Sequence, residues 1–302
     1  MRLVTFATRA EPRRLRVGAL AAGHVLELPY ASMRELLAAG PTGLARVRSL
    51  LADPGSAAQF ESGEVVWKPP VPDAEKFLCV GKNYRTHLAE LQRTGLIKEL
   101  PGEPTGFVKL NACLAGHEED VVRPPSVTHL DYEPELVFVI GKAGHEVKAE
   151  NAFDHVAGIT LLNDLTCRDT QKREVNSGSR FWTSKNAPGF GPLGPCIVTL
   201  DEVPDPYDLW VTCSVNGEQR MRVNTSEQIW KLPAIIEHFS RLVPLQPGDM
   251  FSTGAPGGVA VGKPNAEELF LKHGDVVECA IESPALVLRN RIVAPSYQPT
   301  TS

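Results

Sequence analysis

The residues of this chain best placed to do chemistry lie in the stretch His129-Leu-Asp-Tyr-Glu-Pro-Glu-Leu-Val-Phe-Val-Ile-Gly-Lys142. Its second half, Val137 to Ile140, is β-branched and aromatic and stops at Gly141, the pattern of a strand entering a core. Residues two apart on a strand share a face, which puts Asp131, Glu133 and Glu135 side by side. Carboxylates this close repel, and burial sharpens the repulsion. A bound hard cation such as Mg²⁺ relieves it, because such ions take oxygen ligands and keep open positions for water or substrate. The alternative is a solvated acidic edge of a sheet.

Four further groups could join such a site. His87 and Glu90 are three apart in a segment that reads as a helix, Tyr84 to Gln92, so they share a face. A carboxylate beside an imidazole orients it and raises its basicity, as a general base requires, although the same spacing also describes an ordinary surface pair. Asp164 follows the apolar run Val156–Leu162 and can complete a metal set from the end of that strand. Arg168 and Gln171, three apart at the start of the next helix, either face one cavity or form a polar turn. Lys185 is the one cation in the loop Phe181–Pro195. It either balances a substrate carboxylate or is solvated.

The elements that must position these groups are mostly strands. Residues 1 to 70 read as a small α/β accessory unit. It has strands at Arg2–Thr8, Val17–Leu20 and Val25–Leu28, and helices at Met33–Ala39, capped by Ser32, and at about Gly43–Ala52. The proline-rich Trp67–Pro72 reads as a linker. Residues 71 to 302 form the larger unit. Lys76–Val80, Phe107–Leu110, Cys196–Leu200, Leu209–Val215, Met250–Thr253, Val276–Ile281 and Ala285–Val293 read as strands, with a hairpin at Asn216-Gly217. Arg93–Pro104 suits a loop or lid, and the Gly- and Pro-rich Phe181–Pro195 reads as irregular. A helix beginning near Glu227 restarts at Pro233 and buries Ile235, Ile236, Phe239 and Leu242. The fold class is α+β, mostly β. Without a continuous βαβ alternation, a Rossmann or TIM architecture fits poorly.

Composition narrows the function classes. With 302 residues, 42% of them hydrophobic, the chain can bury a sizeable core. A net charge of −5 gives no electrostatic basis for binding nucleic acid or an anionic membrane. No apolar run has the length of a membrane span, and the N-terminus lacks the apolar core of a signal peptide. The six cysteines are scattered without a Cys-x-x-Cys pair, which fits a reducing cytoplasm.

Taken in order and spacing, the motifs resemble the fumarylacetoacetate hydrolase family, which includes acylpyruvate hydrolases, oxaloacetate decarboxylases and 2-hydroxyhepta-2,4-diene-1,7-dioate isomerases. The matching pieces run from about Pro70 to Val293. They include Val80-Gly-Lys-Asn-Tyr84 with His87 and Glu90, Asp131-Tyr-Glu-Pro-Glu-Leu136, Asn163-Asp164 with Arg168-Asp-Thr-Gln171, Pro192-Leu-Gly-Pro195, Pro247-Gly-Asp249 and Thr253-Gly254. The resemblance implies a mixed β-roll, a homodimer, and Mg²⁺ or Mn²⁺ on Glu133, Glu135 and Asp164. It also implies that His87 and Glu90 activate water, that Lys185 stands near the substrate, and that Tyr84, Arg168, Gln171 and Thr253 line the pocket. Two departures stand out. The chain reads Lys185-Asn-Ala-Pro188 where the family often has Lys-Ser-Phe-Asp, and Thr253-Gly-Ala-Pro256 where it often has Thr-Gly-Thr-Pro. Both loops are expected to flank the pocket, one losing a carboxylate and the other a hydroxyl.

The activity this implies is metal-dependent hydrolysis of a C–C bond in a β-diketo acid of the acylpyruvate type, with the metal stabilising enolate charge. The competing readings are oxaloacetate decarboxylation, 2-hydroxydienoate hydration or isomerisation on the same site, and a non-catalytic metal-binding scaffold. The partner is a small 2-oxo acid, with neither nucleic acid nor membrane involved.

Overall fold

The run from Pro134 to Ile140 is the backbone of the architecture. In the computed structural model, which describes residues 1–21, 23–93, 102–179 and 181–296, all seven of its residues are buried. Its two faces feed different cores. Leu136, Phe138 and Ile140 pack into one apolar cluster, and Val137 and Val139 into another. A strand covered on both faces has no polar side to show, so its sequence is continuously apolar instead of alternating.

This strand sits inside a twelve-stranded mixed sheet. It is antiparallel to Val156–Asn163 on one side and to Met250–Ser252 on the other. From there the sheet runs through Gly191–Thr199 to Arg2–Thr8 and the Arg16–Ala21/His24–Glu27 hairpin, and in the other direction to Phe77–Gly81 and Thr105–Val108. A five-stranded sheet, which includes Trp210–Val215, Val276–Ile281 and Leu286–Val293, packs across it. The result is α+β and mostly β. The first seventy residues and the rest share the large sheet, because Arg2 and Leu3 pair with Val198 and Ile197.

Local signals explain most element boundaries. Ser32 caps the Met33–Ala38 helix, its hydroxyl accepting the Glu35 N–H at 3.1 Å. Asn216 and Gly217 both take positive φ, the geometry of a tight hairpin between Trp210–Val215 and Glu218–Asn224.

Several expectations need correction. Gly191–Thr199 is a nine-residue strand despite its prolines. Pro195 falls where the register against Val156–Asn163 slips, so its missing N–H breaks no ladder bond. Trp67 and Lys68 pair with Phe6 and Thr5 and belong to a strand, Val65–Lys68, where a linker was expected. Glu227 belongs to a short 3₁₀ turn, and the α-helix itself spans Leu232–Ser240. Leu242 therefore lies beyond the helix and is 88% exposed. The expected lid over Arg93–Pro104 falls mainly on 94–101, outside the described residues.

The Val156–Asn163 strand delivers Asp164 to the site, and its packing leaves no room at Gly158. A Cβ there would lie 2.2 Å from the Val198 carbonyl oxygen. Gly158→Ala is expected to cost about 2–3 kcal/mol through overpacking, read as a lower urea midpoint at unchanged m.

Candidate active site

The acidic stretch does not run through as one strand. Leu130–Asp131 pairs with Thr166–Cys167, the chain breaks at Tyr132–Glu133, and the long strand starts at Pro134. Asn163 stabilises the break by accepting the Glu133 N–H at 3.0 Å, while Asp164 N–H donates to the Glu133 carbonyl at 2.8 Å. The break separates the three acids. Ligand oxygens of Glu133, Glu135 and Asp164 all lie within 4.8 Å of one another. Asp131 turns away and accepts hydrogen bonds from Arg168 and from the backbone of Ala260 and Val261.

All of these carboxylates are buried, at 0% exposure for Asp131 and Asp164 and at most 3% for Glu133 and Glu135. Three cations answer four acids. Arg168 reaches Glu133 Oε1 at 2.6 Å and Asp131 Oδ2 at 2.8 Å. Lys185 binds Glu133 and Asp164. Lys109, its side chain fully buried, binds Asp164 Oδ1 at 2.7 Å and the Lys185 carbonyl at 2.5 Å. Burial raises the Glu133 carboxyl, but Arg168, Lys185 and His87 outweigh it and hold that group well below the usual carboxylate range. Glu135 forms no ion pair among the described residues. Its recorded hydrogen-bond donor is Ser252, and burial, with the Asp164 charge next, pushes its carboxyl well above the normal range. A buried set of three hard oxygen donors carrying one surplus negative charge fits Mg²⁺ or Mn²⁺.

The cluster opens into a cavity of about 460 Å³. His87, Glu133, Glu135, Arg168, Gln171 and Lys185 line it. His87, at the start of the Arg85–Arg93 helix, points its Nδ1 at Glu90 Oε2, 3.5 Å away. Gln171 accepts from Arg168 Nη1 at 2.9 Å, so that pair acts together. Lys185 is neither solvated nor free. Its ammonium lies over Phe107 and Phe181, 5.2 and 5.8 Å from the ring centroids.

Other expected site residues stand elsewhere. Tyr84 is fully buried and does not line the cavity. Its hydroxyl accepts from Gln228 at 3.1 Å and lies 3.4 Å from Thr253 Oγ1, and burial pushes it up to about 12. Thr253, also fully buried, donates to the Leu136 carbonyl. The two residues support the wall from behind. Of the departing loops, Ala255 lines the cavity, whereas Asn186 is spent on backbone, accepting from Leu110 N–H and donating to Val108 and Trp182.

Sequence reasoning missed Lys109 as a member of the cluster. The available signal was a lysine inside an apolar strand pattern, since buried lysines are almost always paired. It also missed His129 at the rim, which is held between Asp169 at 2.5 Å and Glu267 at 3.0 Å. Nothing in their spacing links those three residues.

The Glu135 surplus yields a prediction. A carboxyl raised in the folded state binds its proton more tightly folded than unfolded, so stability falls as pH rises above the unfolded value, about 4.3. In EDTA, wild type is therefore expected to lose stability relative to Glu135→Gln as pH rises from about 4.3 toward neutrality. Added Mn²⁺ or Mg²⁺ should raise the Tm of wild type and leave Glu135→Gln unmoved. Thermal scans at each pH, with and without metal, check both.

Comparison with known proteins identifies the family. Residues 76–293 match the family described as fumarylacetoacetate (FAA) hydrolase C-terminal. An oxaloacetate tautomerase of Xenopus laevis is 35% identical over 93% of this chain and 87% of its own length. One of Bacillus subtilis is 36% identical over 88% of each. The solved fumarylacetoacetate hydrolase of Exiguobacterium antarcticum superposes with a TM-score of 0.79 at 32% identity, covering 98% of this chain and all of that one. The relatives are named as enzymes, and with its fold, its carboxylate cluster and its matched residues this chain belongs to the fumarylacetoacetate hydrolase family.

Proposed function

We propose that this protein is a divalent-metal-dependent enzyme that moves a proton at the carbon next to the keto group of a 2-oxo acid, with keto–enol tautomerisation of oxaloacetate as the leading reaction. The observation that carries this reading is that His87 opens into the same cavity as the Glu133–Glu135–Asp164 cluster, with Arg168, Gln171 and Lys185 around it. The names of the 35–36% identical relatives support the substrate.

Each residue then has a task. Arg168, Gln171 and Lys185 receive the substrate carboxylates, Arg168 through a guanidinium already aligned by Asp131 and Glu133. Glu90, on the Nδ1 side of His87, favours the tautomer that leaves Nε2 to exchange a proton between substrate carbon and oxygen. A divalent cation on Glu133, Glu135 and Asp164 supplies, when bound, positive charge for the enolate that proton loss creates. The apolar wall, with Val80, Val261 and Phe270, keeps bulk water from competing.

A second reading, C–C hydrolysis of an acylpyruvate, draws support from the cavity's size. About 460 Å³ is more than a four-carbon diacid fills, and a distal acyl group would occupy the remainder. There the same His87 would take its proton from water, which attacks the distal carbonyl.

The test follows enol absorbance of oxaloacetate, and diketo absorbance of acetylpyruvate with pyruvate detection, in Mg²⁺, Mn²⁺ and EDTA. Metal-dependent interconversion without pyruvate supports the tautomerase, and pyruvate with a carboxylic acid moves the assignment to the hydrolase. In either case His87→Ala should lower kcat about 10²–10⁴-fold. Full activity of His87→Ala together with indifference to EDTA would sink both readings.

A further inference from the structure

Asp131 belongs to the acidic stretch but not to the metal cluster, and its carboxylate is fully occupied. Oδ2 accepts hydrogen bonds from Arg168 Nε at 2.9 Å and the Val261 N–H at 3.0 Å and pairs with Arg168 Nη2 2.8 Å away, and Oδ1 accepts the Ala260 N–H at 2.9 Å. These amides end a strap, Gly257-Gly258-Val259-Ala260-Val261, that crosses from the acidic stretch to the His87 helix. At its other end the Gly258 N–H donates to Glu90 Oε1 at 2.8 Å, and the Gly257 N–H donates to Thr86 Oγ1 at 3.2 Å. Contact with the helix is close. A Cβ on Gly257 would meet Thr86 at 2.8 Å, and one on Gly262 would meet the Glu90 carboxylate at 2.7 Å. Tyr132, next to Asp131, also grips the strap by donating to the Gly258 carbonyl at 3.3 Å.

Two chains of contact therefore meet at one buried side chain. One runs from Asp131 through Arg168 to Glu133 and Gln171. The other runs from Asp131 through the strap to Glu90 and His87. We propose that Asp131 is a positioning residue whose carboxylate ties Arg168 and the Gly257–Val261 strap into one frame, setting where the His87–Glu90 pair stands relative to Glu133, Glu135 and Asp164. The inference rests on the reading of His87 as the proton carrier. Proton transfer tolerates little displacement, because misplacement of about 1 Å can cost a hundredfold in rate.

Asp131→Asn keeps the shape, removes the charge Arg168 leans on, and turns an N–H donor toward at least one of the donors now bound. Both branches should suffer. KM rises severalfold through Arg168, and kcat falls on the order of 10–100-fold through the strap. Thr86→Val, at an exposed position, cuts the helix end alone and should lower kcat about threefold with KM unchanged. The two kcat losses should be less than multiplicative in the double variant, because both loosen the same strap. Hydrogen exchange over 256–263 is the readout independent of turnover, and Asp131→Asn should speed it across the whole strap, Gly258 included.

Multiplicative losses, a kcat loss with KM unchanged in Asp131→Asn, or faster exchange confined to Ala260 and Val261 would each overturn the proposal. If Asp131→Asn does not fold, Thr86→Val decides by itself, and unchanged kcat with unchanged exchange overturns the strap. If wild type turns over no 2-oxo acid, the functional reading fails separately, and the exchange result still decides whether Asp131 and Glu90 share one frame.

Discussion

Four carboxylates held away from water at one end of a sheet need compensating charge, and the structure around them is arranged to provide it. An isolated buried carboxylate costs several kcal/mol even after relaxation, and the cost grows when a second stands beside it. Arg168, Lys185 and Lys109 arrive from three separate places: the start of a helix, a Gly-rich loop and the segment just after the Thr105–Val108 strand. Each is buried or nearly so. Glu135 is left over, and a divalent cation is the simplest species to complete the balance.

The sheet explains why the balance holds in place. Pro134–Ile140 is gripped on both edges by strands and on both faces by apolar clusters, so Glu133 and Glu135 leave a rigid element. Asp164 leaves the adjoining strand where two backbone hydrogen bonds fasten the turn. Side chains on such supports keep their separation when charge moves, which is what preorganised electrostatic catalysis requires. His87 sits on a different element, and the Gly257–Val261 strap is the backbone that bridges it to the acidic stretch.

The constellation is chemically permissive. Enolate formation next to a keto acid is common to tautomerisation, decarboxylation and C–C hydrolysis, and relatives of this chain carry names from more than one of these classes. Selection among them falls to the rest of the cavity, whose wall here is apolar along Val80, Ala255, Val261 and Phe270. Fold and cluster do not choose the reaction by themselves.

Much of this was legible in the sequence. The apolar run before Gly141, the capping serine Ser32 and the Asn216-Gly217 turn are local signals, and each produced the element it predicts. The residues Glu133, Glu135, Asp164, Arg168 and Gln171 could be named because short spacings and familiar motifs carry them. What spacing could not supply were contacts between distant segments. Lys109 and Asp164 are 55 residues apart, and Asp131 and Ala260 are 129 apart. Leu242 looked like core by periodicity, but the helix ended first; Tyr84 and Thr253 looked like pocket wall, but their hydroxyls face inward. Local sequence determines where the caps, tight turns and continuous apolar runs fall and which chemical groups they carry. Only the tertiary structure decides which buried charge meets which, because that depends on strand order and burial, and neither is encoded in the spacing of neighbouring residues.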